Sequence, residues 1–165
     1  MSVVKVIYGS STGNTENAAN AIAGQLGGVA VNVASASLED LHADVLVLGT
    51  STWGIGDLQD DWLGQIDQLD KVDLKGKKVA LFGLGDQGGF GDSFIDGVGT
   101  LYQKAVARGA EVIGIWSTDG YSYSNSTAVI NGKFVGLALD DDTESGKTPE
   151  RIAKWCAQVK AEAGL

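Results

Sequence analysis

The chain is organised around one stretch, Gly9-Ser10-Ser11-Thr12-Gly13-Asn14-Thr15. Before it lies the apolar run Val3–Tyr8, whose β-branched residues are typical of a buried parallel strand. After it, apolar residues from Ala19 to Leu26 recur at the i, i+3, i+4, i+7 spacing of a helix face. The stretch is therefore predicted to be a strand-to-helix turn.

The composition of this turn favours an anion as its ligand. Backbone N–H groups at a helix start lack partners and carry partial positive charge. The turn adds four hydroxyl side chains and no charged one, which makes a neutral cradle for a phosphate. A helix cap alone would need only one hydroxyl, so the four hydroxyls favour phosphate binding over simple capping.

Length and charge narrow the class of protein. The 165 residues suit one domain, and 44% hydrophobic with 20% charged residues is a globular composition. The net charge of −9 argues against nucleic acid and anionic membranes as partners and suits docking onto a basic protein. Cys156 is the only cysteine, so no internal disulfide and no cysteine-based metal site is expected, and we assign no metal ligands. The sequence shows no signal peptide and no membrane span, so we expect a cytoplasmic protein.

Strand and helix patterns alternate along the chain. The strands expected after the first are Val29–Val33, Val45–Gly49, Val79–Phe82 and a fifth that begins at Glu111–Trp116 and resumes at Phe134–Leu139. The polar residues 117–133 interrupt that fifth strand as an insertion, and Thr148-Pro149 starts a last helix. This alternation predicts an α/β fold, with a parallel sheet covered by helices on both faces.

Three loops leave the carboxyl ends of the strands, where such sheets bind ligands. They are the hydroxyl-rich turn 9–15, the loop Thr50–Asp57 with Trp53 between glycines, and the loop Gly83–Gly91 with Phe90 among glycines. Trp53 and Phe90 could be core aromatics, but their place on glycine-rich loops favours stacking on a ligand. The three loops together predict a site for a flat ring with a phosphate tail.

Five segments of the chain resemble the flavodoxin family, long-chain type, over essentially the full length: Ser10–Thr15, Thr52–Trp62, Phe82–Phe90, Trp116–Tyr121 and Gly132–Asp140. The resemblance implies one flavodoxin-like domain spanning 1–165, a doubly wound five-stranded parallel sheet of order 2-1-3-4-5, and an insertion that splits the last strand. It also implies non-covalently bound FMN and a low-potential one-electron carrier that shuttles between semiquinone and hydroquinone.

The resemblance assigns cofactor-binding roles by position. The assigned residues are Ser10, Ser11, Thr12, Gly13, Asn14 and Thr15 for the phosphate, Thr50, Ser51, Thr52, Trp53, Gly54 and Gly56 in the second loop, Gly83, Leu84, Gly85, Asp86, Gln87 and Phe90 in the third, and Asp140. Trp53 would cover one ring face and Phe90 the other. Phe90 stands where the family usually has tyrosine, and Ser51 where proline is common.

A peptide flip is expected at Gly54–Ile55, because glycine tolerates the φ values that a flip requires. The flipped carbonyl would accept a hydrogen bond from the flavin N5–H of the semiquinone. Nearby acids and aromatic faces would disfavour the anionic hydroquinone and lower the second potential. The hypothesis predicts that Gly54→Val weakens the semiquinone, which a redox titration with spectral detection would test.

The partners implied are redox proteins, such as a ferredoxin/flavodoxin–NADP reductase or low-potential oxidoreductases and reductases, that dock on an acidic face of a monomer. The acidic runs Asp57–Asp61 and Asp140–Glu144 are otherwise interpreted as solvated surface. We interpret Trp62, Trp116 and Trp155 as packing residues, His42 as a surface residue and Cys156 as a buried one.

Two other functions remain open on the same fold. A flavin-dependent NAD(P)H:quinone reductase would need a nicotinamide site, and the chain has no clear surplus beyond the 117–133 insertion. A signalling receiver would need acidic residues where Tyr8-Gly9-Ser10 stands. The motif Gly83-x-Gly85-x-x-Gly88 fits a dinucleotide fingerprint, but it lies in the fourth βα unit instead of the first. We therefore expect an electron carrier and not an enzyme.

Overall fold

The computed structural model describes residues 3–10, 13–53, 57–58, 60–89 and 91–165. In chain order the elements are β1 (Val4–Gly9), α1 (Asn14–Leu26), β2 (Val29–Asn32), β3 (Val45–Trp53), β4 (Asp57–Leu58), α2 (Asp60–Gln65), β5 (Lys78–Leu84), α3 (Asp96–Ala107), β6 (Glu111–Ile113), β7 (Trp116–Ser117), β8 (Val129–Ile130), β9 (Lys133–Phe134), β10 (Leu137–Leu139) and α4 (Thr148–Ala163).

The main sheet is parallel and its strands run in the order β2-β1-β3-β5-β10. Strand β5 has two successive partners on its outer side. Its first half pairs with β6 and its second half with β10, both in parallel. The fifth strand of the sheet is therefore one line made of two pieces, which confirms the expected order 2-1-3-4-5 and the split last strand.

The segment between the two pieces has a small sheet of its own. Strands β7, β8 and β9 form a three-stranded antiparallel sheet in the order β7-β9-β8. Phe134 of β9 is fully buried and packs against Phe94, Tyr121 and Tyr123. The insertion is thus anchored to the main body through an aromatic cluster.

Helices cover both faces of the main sheet, as expected for parallel strands whose side chains are buried on both sides. On one face, α1 and α4 bury Ile22, Leu26, Trp155 and Val159 against the strands. On the other face, α3 packs together with α2. Among the described residues, none of the helices combines the length and the apolarity that a bilayer crossing requires.

The structure confirms the expected burial or exposure of Trp62, Trp155, Cys156 and His42. Trp62 and Trp155 are buried, and their indole N–H groups donate to the carbonyls of Gly49 and Gly114, at 2.7 and 2.8 Å. Cys156 is buried and burial raises the pKa of its thiol to about 11. His42 is exposed, as expected.

Two strands extend further than their sequence pattern indicates. Strand β3 continues through Thr50, Ser51 and Thr52, which the sequence pattern places in a loop. The end of β3 pairs antiparallel with β4. Strand β5 continues through Leu84. The expected loop start is wrong at both places because Thr50 and Ser51 continue the parallel ladder with β5. Threonine suits strands well, although hydroxyl residues beside glycine resemble a turn.

Candidate functional site

The strands that lead into the three candidate loops end side by side at one edge of the sheet. In the strand register, Gly9 of β1 lies opposite Thr50 of β3, and Thr50 lies opposite Gly83 of β5. These three residues form a single row across adjacent strands at their carboxyl ends. The structure therefore brings together the strand ends that lead into all three loops, which the sequence could place only by analogy with other parallel sheets.

The first loop leads into α1 without a side-chain cap. Gly13 is left-handed, with φ 95°, and its N–H donates to Ser10 Oγ at 3.0 Å. Helix α1 then starts at Asn14, and the N–H of Asn17 makes the first helical bond to the carbonyl of Gly13. The donors at the start of α1 thus suit an acceptor from outside the chain. Ser11 and Thr12, also assigned to the phosphate, lie outside the described residues.

At the end of β3, before the second loop, one buried hydroxyl has no hydrogen-bond partner among the described residues. Thr50 is buried and its hydroxyl donates to the carbonyl of Ser51, whereas Thr52 Oγ1 accepts the N–H of Gly97 at 3.0 Å. Ser51 Oγ is buried and has no hydrogen-bond partner among the described residues. A buried hydroxyl without a partner costs free energy, so Ser51 fits a site that a polar ligand completes. Gly54, Gly56 and the Trp53 side chain lie outside the description, as does the Gly54–Ile55 peptide.

Helix α3 begins directly against this second loop. A Cβ placed on Gly97 would lie 3.0 Å from Thr50 Cγ2 and 3.1 Å from Thr52 Oγ1. Gly97 therefore lets the first turn of α3 approach the end of β3 closely. The first turn of α3 and the threonine side chains at the end of β3 are therefore in close contact at this edge of the candidate site.

Gln87 anchors the third loop through hydrogen bonds to residues that follow the last strand. Its backbone N–H and its side-chain amide both donate to Asp140 Oδ2 at 3.0 Å, and the amide also donates to Glu144 Oε1 at 2.7 Å. The side-chain amide oxygen of Gln87, Oε1, accepts the N–H of Ser122. Gln87 therefore ties the loop to the insertion and to the segment before α4. Phe90, the expected second stacking residue, lies outside the described residues.

Asp140 is fully buried, with 0% of its surface exposed. Besides the Gln87 groups, it accepts the N–H of Asp142 at 3.1 Å and both the N–H and the hydroxyl of Thr143. Burial would raise the pKa of Asp140, but the hydrogen bonds from Thr143 and Gln87 outweigh it and lower this pKa. The interpretation of Asp140 as solvated surface is wrong, because this carboxylate binds the backbone that surrounds it.

Glu144 is the residue of this region that sequence reasoning missed. It accepts hydrogen bonds from Lys147, Gln87 and Arg151, at 2.6, 2.7 and 3.0 Å. These bonds, with that from Lys147 the largest, lower the pKa of Glu144 to about 2. The contact between residues 87 and 144 had no signal in the sequence, because it joins two loops that are 57 positions apart.

Known proteins similar to this chain were found by sequence and by structure. The family model described as flavodoxin matches residues 6–155. A flavodoxin of Nostoc sp. is 47% identical over 98% of both chains, and one of Synechococcus elongatus is 42% identical over the whole of both. The solved Fusobacterium nucleatum flavodoxin bound to flavin mononucleotide is 35% identical, with a TM-score of 0.93 over 98% of this chain and 99% of that one. The chain therefore belongs to the flavodoxin family.

Proposed function

We propose that this protein holds FMN without a covalent bond at the carboxyl edge of its sheet and carries single electrons at low potential between redox proteins. The observation that carries the proposal is the row Gly9, Thr50 and Gly83, which lies at the carboxyl ends of the three adjacent strands that lead into the three loops. Members of this family are electron-transfer proteins and do not turn over a substrate of their own. Their partners are other redox proteins.

The first loop would bind the phosphate. Ser10 to Thr15 supply hydroxyl groups and the N–H groups of the first turn of α1, where no described side chain makes a cap hydrogen bond. The left-handed Gly13 supports this role, since it turns the chain into the helix while Ser10 receives its N–H. Binding without lysine or arginine keeps the pocket near neutral before the anion arrives.

The second and third loops would bind the ring. Trp53 and Phe90 would stack on its two faces, and Thr50, Ser51, Thr52, Gly54, Gly56, Gly83, Leu84, Gly85, Asp86 and Gln87 would surround its edges. Bound FMN supplies reversible one-electron chemistry, and the residues of the chain bind it, orient it and exclude water. Asp140 would support the ring site indirectly. It accepts two hydrogen bonds from Gln87 and so fixes the course of the third loop.

Titration of the apoprotein tests the phosphate assignment. The fluorescence of FMN should be quenched on binding, and riboflavin, which lacks the phosphate, should bind at least 100-fold more weakly because several charge-assisted hydrogen bonds are lost. Equal affinity for the two flavins would contradict the role of Ser10 to Thr15. A purified protein that is colourless and gains no colour with FMN would contradict the proposal as a whole.

Reduction of the loaded protein separates the carrier from a quinone reductase. A carrier should keep its yellow colour when NAD(P)H is added alone and lose it when a flavodoxin reductase is added as well. A chemical titration should show two separate one-electron steps. Rapid bleaching by NAD(P)H alone would favour the reductase instead.

The finer features of the partners belong to the same proposal. A net charge of −9 supports docking of basic redox proteins, such as a ferredoxin/flavodoxin–NADP reductase, on an acidic face. We also propose that the protein works as a cytoplasmic monomer. Sedimentation at micromolar concentration would test the monomer, and a mass of twice the chain would contradict it.

A further inference from the structure

Arg151, in the first turn of α4, closes a ring of contacts that includes the third loop. Its Nη2 donates to Glu144 Oε1 at 3.0 Å, and the same oxygen accepts the side-chain amide of Gln87 at 2.7 Å. The Oε1 atom of Gln87 accepts the N–H of Ser122. Ser122 follows Tyr121, and the guanidinium carbon of Arg151 lies 4.2 Å from the centre of the Tyr121 ring, which closes the ring of contacts.

Helix α4 gives the guanidinium of Arg151 a fixed place. Arg151 is buried, and its neighbours Ile152 and Trp155 pack in the core between α4 and the sheet. From this place Arg151 contacts both segments that hold the Gln87 side chain, namely the insertion and the segment before α4. The course of the third loop therefore depends on α4 as well as on Asp140.

Stability alone does not account for an arginine at position 151. Its Nη1 is buried and has no hydrogen-bond partner among the described residues, and a buried donor without an acceptor costs free energy. A buried ion pair also adds little to stability once the desolvation of both charges is counted. An arginine can, however, bind Glu144 and lie over the ring of Tyr121 at the same time, which an apolar side chain cannot do. The arrangement favours a role in positioning.

We propose that Arg151 is a positioning residue of the flavin site, which acts through Glu144 and Gln87 on the reduction potential of bound FMN. This inference rests on the proposed function, in which the third loop borders the flavin ring. The potential of a bound flavin depends on the hydrogen bonds and charges that the protein places around it. Without Arg151, the negative charge of Glu144 is balanced by Lys147 alone. Because reduction brings further negative charge to the site, loss of Arg151 lowers the potential.

Amide hydrogen exchange of the full-length apoprotein tests the positioning step without the cofactor. In Arg151→Gln, the N–H groups of Gln87 and Ser122 should exchange roughly tenfold faster, because the ring of contacts around them opens. Lys154→Gln is the matched control, since it removes one positive charge from the same helix at a side chain that is 68% exposed and pairs with Glu150. Exchange in this control should match the wild type. Unchanged exchange of both amides in Arg151→Gln would overturn the proposal.

A potentiometric titration of the FMN-loaded protein tests the redox step. Arg151→Gln should lower the equilibrium constant of the second one-electron step by about threefold to tenfold, and Lys154→Gln by less than about twofold. The shift in Arg151→Gln should persist at 0.5 M salt, because salt screens buried pairs much less than exposed charges. Equal shifts in the two variants, or a shift that salt removes, would show a simple charge effect and would overturn the positioning role.

Glu144→Ala decides the matter if Arg151→Gln does not fold. Glu144 is only half-buried, so its replacement leaves the core intact, yet it removes the acceptor that Arg151 and Gln87 share. The N–H groups of Gln87 and Ser122 should exchange at least about threefold faster in this variant. Unchanged exchange would overturn the proposal. Faster exchange in a protein that binds no FMN would overturn the proposed function and, with it, the redox role of Arg151.

Discussion

At the scale of single residues, Gln87 joins three parts of the chain that lie far apart in the sequence. Its hydrogen bonds reach Asp140 and Glu144 after the last strand and Ser122 in the insertion. Asp140 is buried and Glu144 is half-buried, whereas Ser122 is exposed. The third loop therefore has a fixed course even though it contains several glycines, and its order depends on one amide side chain and one carboxylate.

Replacement of the buried carboxylate should loosen this network. Asp140→Asn puts an amide where Gln87 and Thr143 donate, so we expect a loss of about 2–4 kcal/mol in the free energy of unfolding. Urea unfolding of the apoprotein measures it. Asp67→Asn, at an exposed position, is the control and should change stability by less than about 0.5 kcal/mol. Equal effects of the two substitutions would contradict a supporting role for Asp140.

Glu144 should make stability depend on acid pH. Its pKa is lowered from 4.5 to about 2 in the folded chain, so the unfolded chain binds its proton first as pH falls. The contribution is complete above pH 4.5 and is lost as pH falls toward 2. With solvent screening we expect about 1–2 kcal/mol from this carboxylate.

The comparison of Glu144→Gln with the wild type across this range isolates the effect. The stability difference between them should shrink between pH 5 and 2.5, as measured by urea unfolding. Glu39→Gln, at an exposed position, serves as control and should keep a constant difference. A constant difference for Glu144→Gln as well would contradict the ion-pair origin of the shift.

Gly49 is needed for close packing in the centre of the sheet. A Cβ at this position would lie 2.0 Å from Cζ of Phe82, which is fully buried. Gly49→Ala should therefore cost about 3 kcal/mol, since the ring cannot move without displacing its neighbours. Gly24→Ala in α1, where a Cβ would meet nothing within 4 Å, should instead add about 0.5–1 kcal/mol. Thermal unfolding of the two variants checks the opposite signs.

At the scale of elements, the split fifth strand shows how the insertion joins the sheet. Ile113 of β6 pairs with Ala80, and Leu137 of β10 pairs with Phe82. Only the position opposite Leu81 separates them, and Gly136 lies against the Leu81 carbonyl. Residues 114–135 therefore leave the sheet after Ile113, and the chain returns to it at the next pairing position of β5.

Deletion of residues 114–135 should keep the sheet and weaken the core. Joining Ile113 to Gly136 restores a continuous strand, so far-UV circular dichroism and FMN binding should persist, whereas the urea midpoint should fall because the Phe134 cluster is lost. Trp155 also loses its acceptor, the carbonyl of Gly114. Trp155→Phe should then be nearly neutral in the shortened chain but cost about 1 kcal/mol in the full one. A shortened chain that loses its circular dichroism would contradict the continuous strand.

The large elements could be predicted from the sequence because their patterns are local. The apolar run before Gly9 and the helical spacing from Ala19 to Leu26 predicted β1 and α1, and both are confirmed. The strand order came from the family resemblance. The sheet inside the insertion had no signal, because strands of two residues have no periodicity.

The candidate site could be predicted only in part for a related reason. The hydroxyls and glycines of the first loop point to an anion by themselves, and helix-terminal donors explain why. The partners of Asp140 and Glu144 depend on contacts between residues more than 50 positions apart, such as those with Gln87. No local pattern encodes such contacts, so these residues were first interpreted as surface.

At the scale of the whole molecule, the net negative charge should control how fast the protein associates with basic redox partners. With a net charge of −9, we expect electron transfer to a basic redox protein to slow by about tenfold between 0.05 and 0.5 M salt. Transfer to a neutral quinone is the control and should stay constant. Stopped-flow rates measure both. A rate to the basic protein that does not depend on salt would contradict docking on an acidic face.

The row formed by Gly9, Thr50 and Gly83 also fixes the distance between its two ends, on β1 and β5. Neighbouring strands lie about 4.8 Å apart, so the two ends of the row, on β1 and β5, lie about 10 Å from each other. Hydrogen bonds across the sheet keep that distance constant whatever sequence the loops have. Exchanged loops would therefore change which groups meet a ligand, but a ligand that touches both ends of the row must still be about 10 Å long.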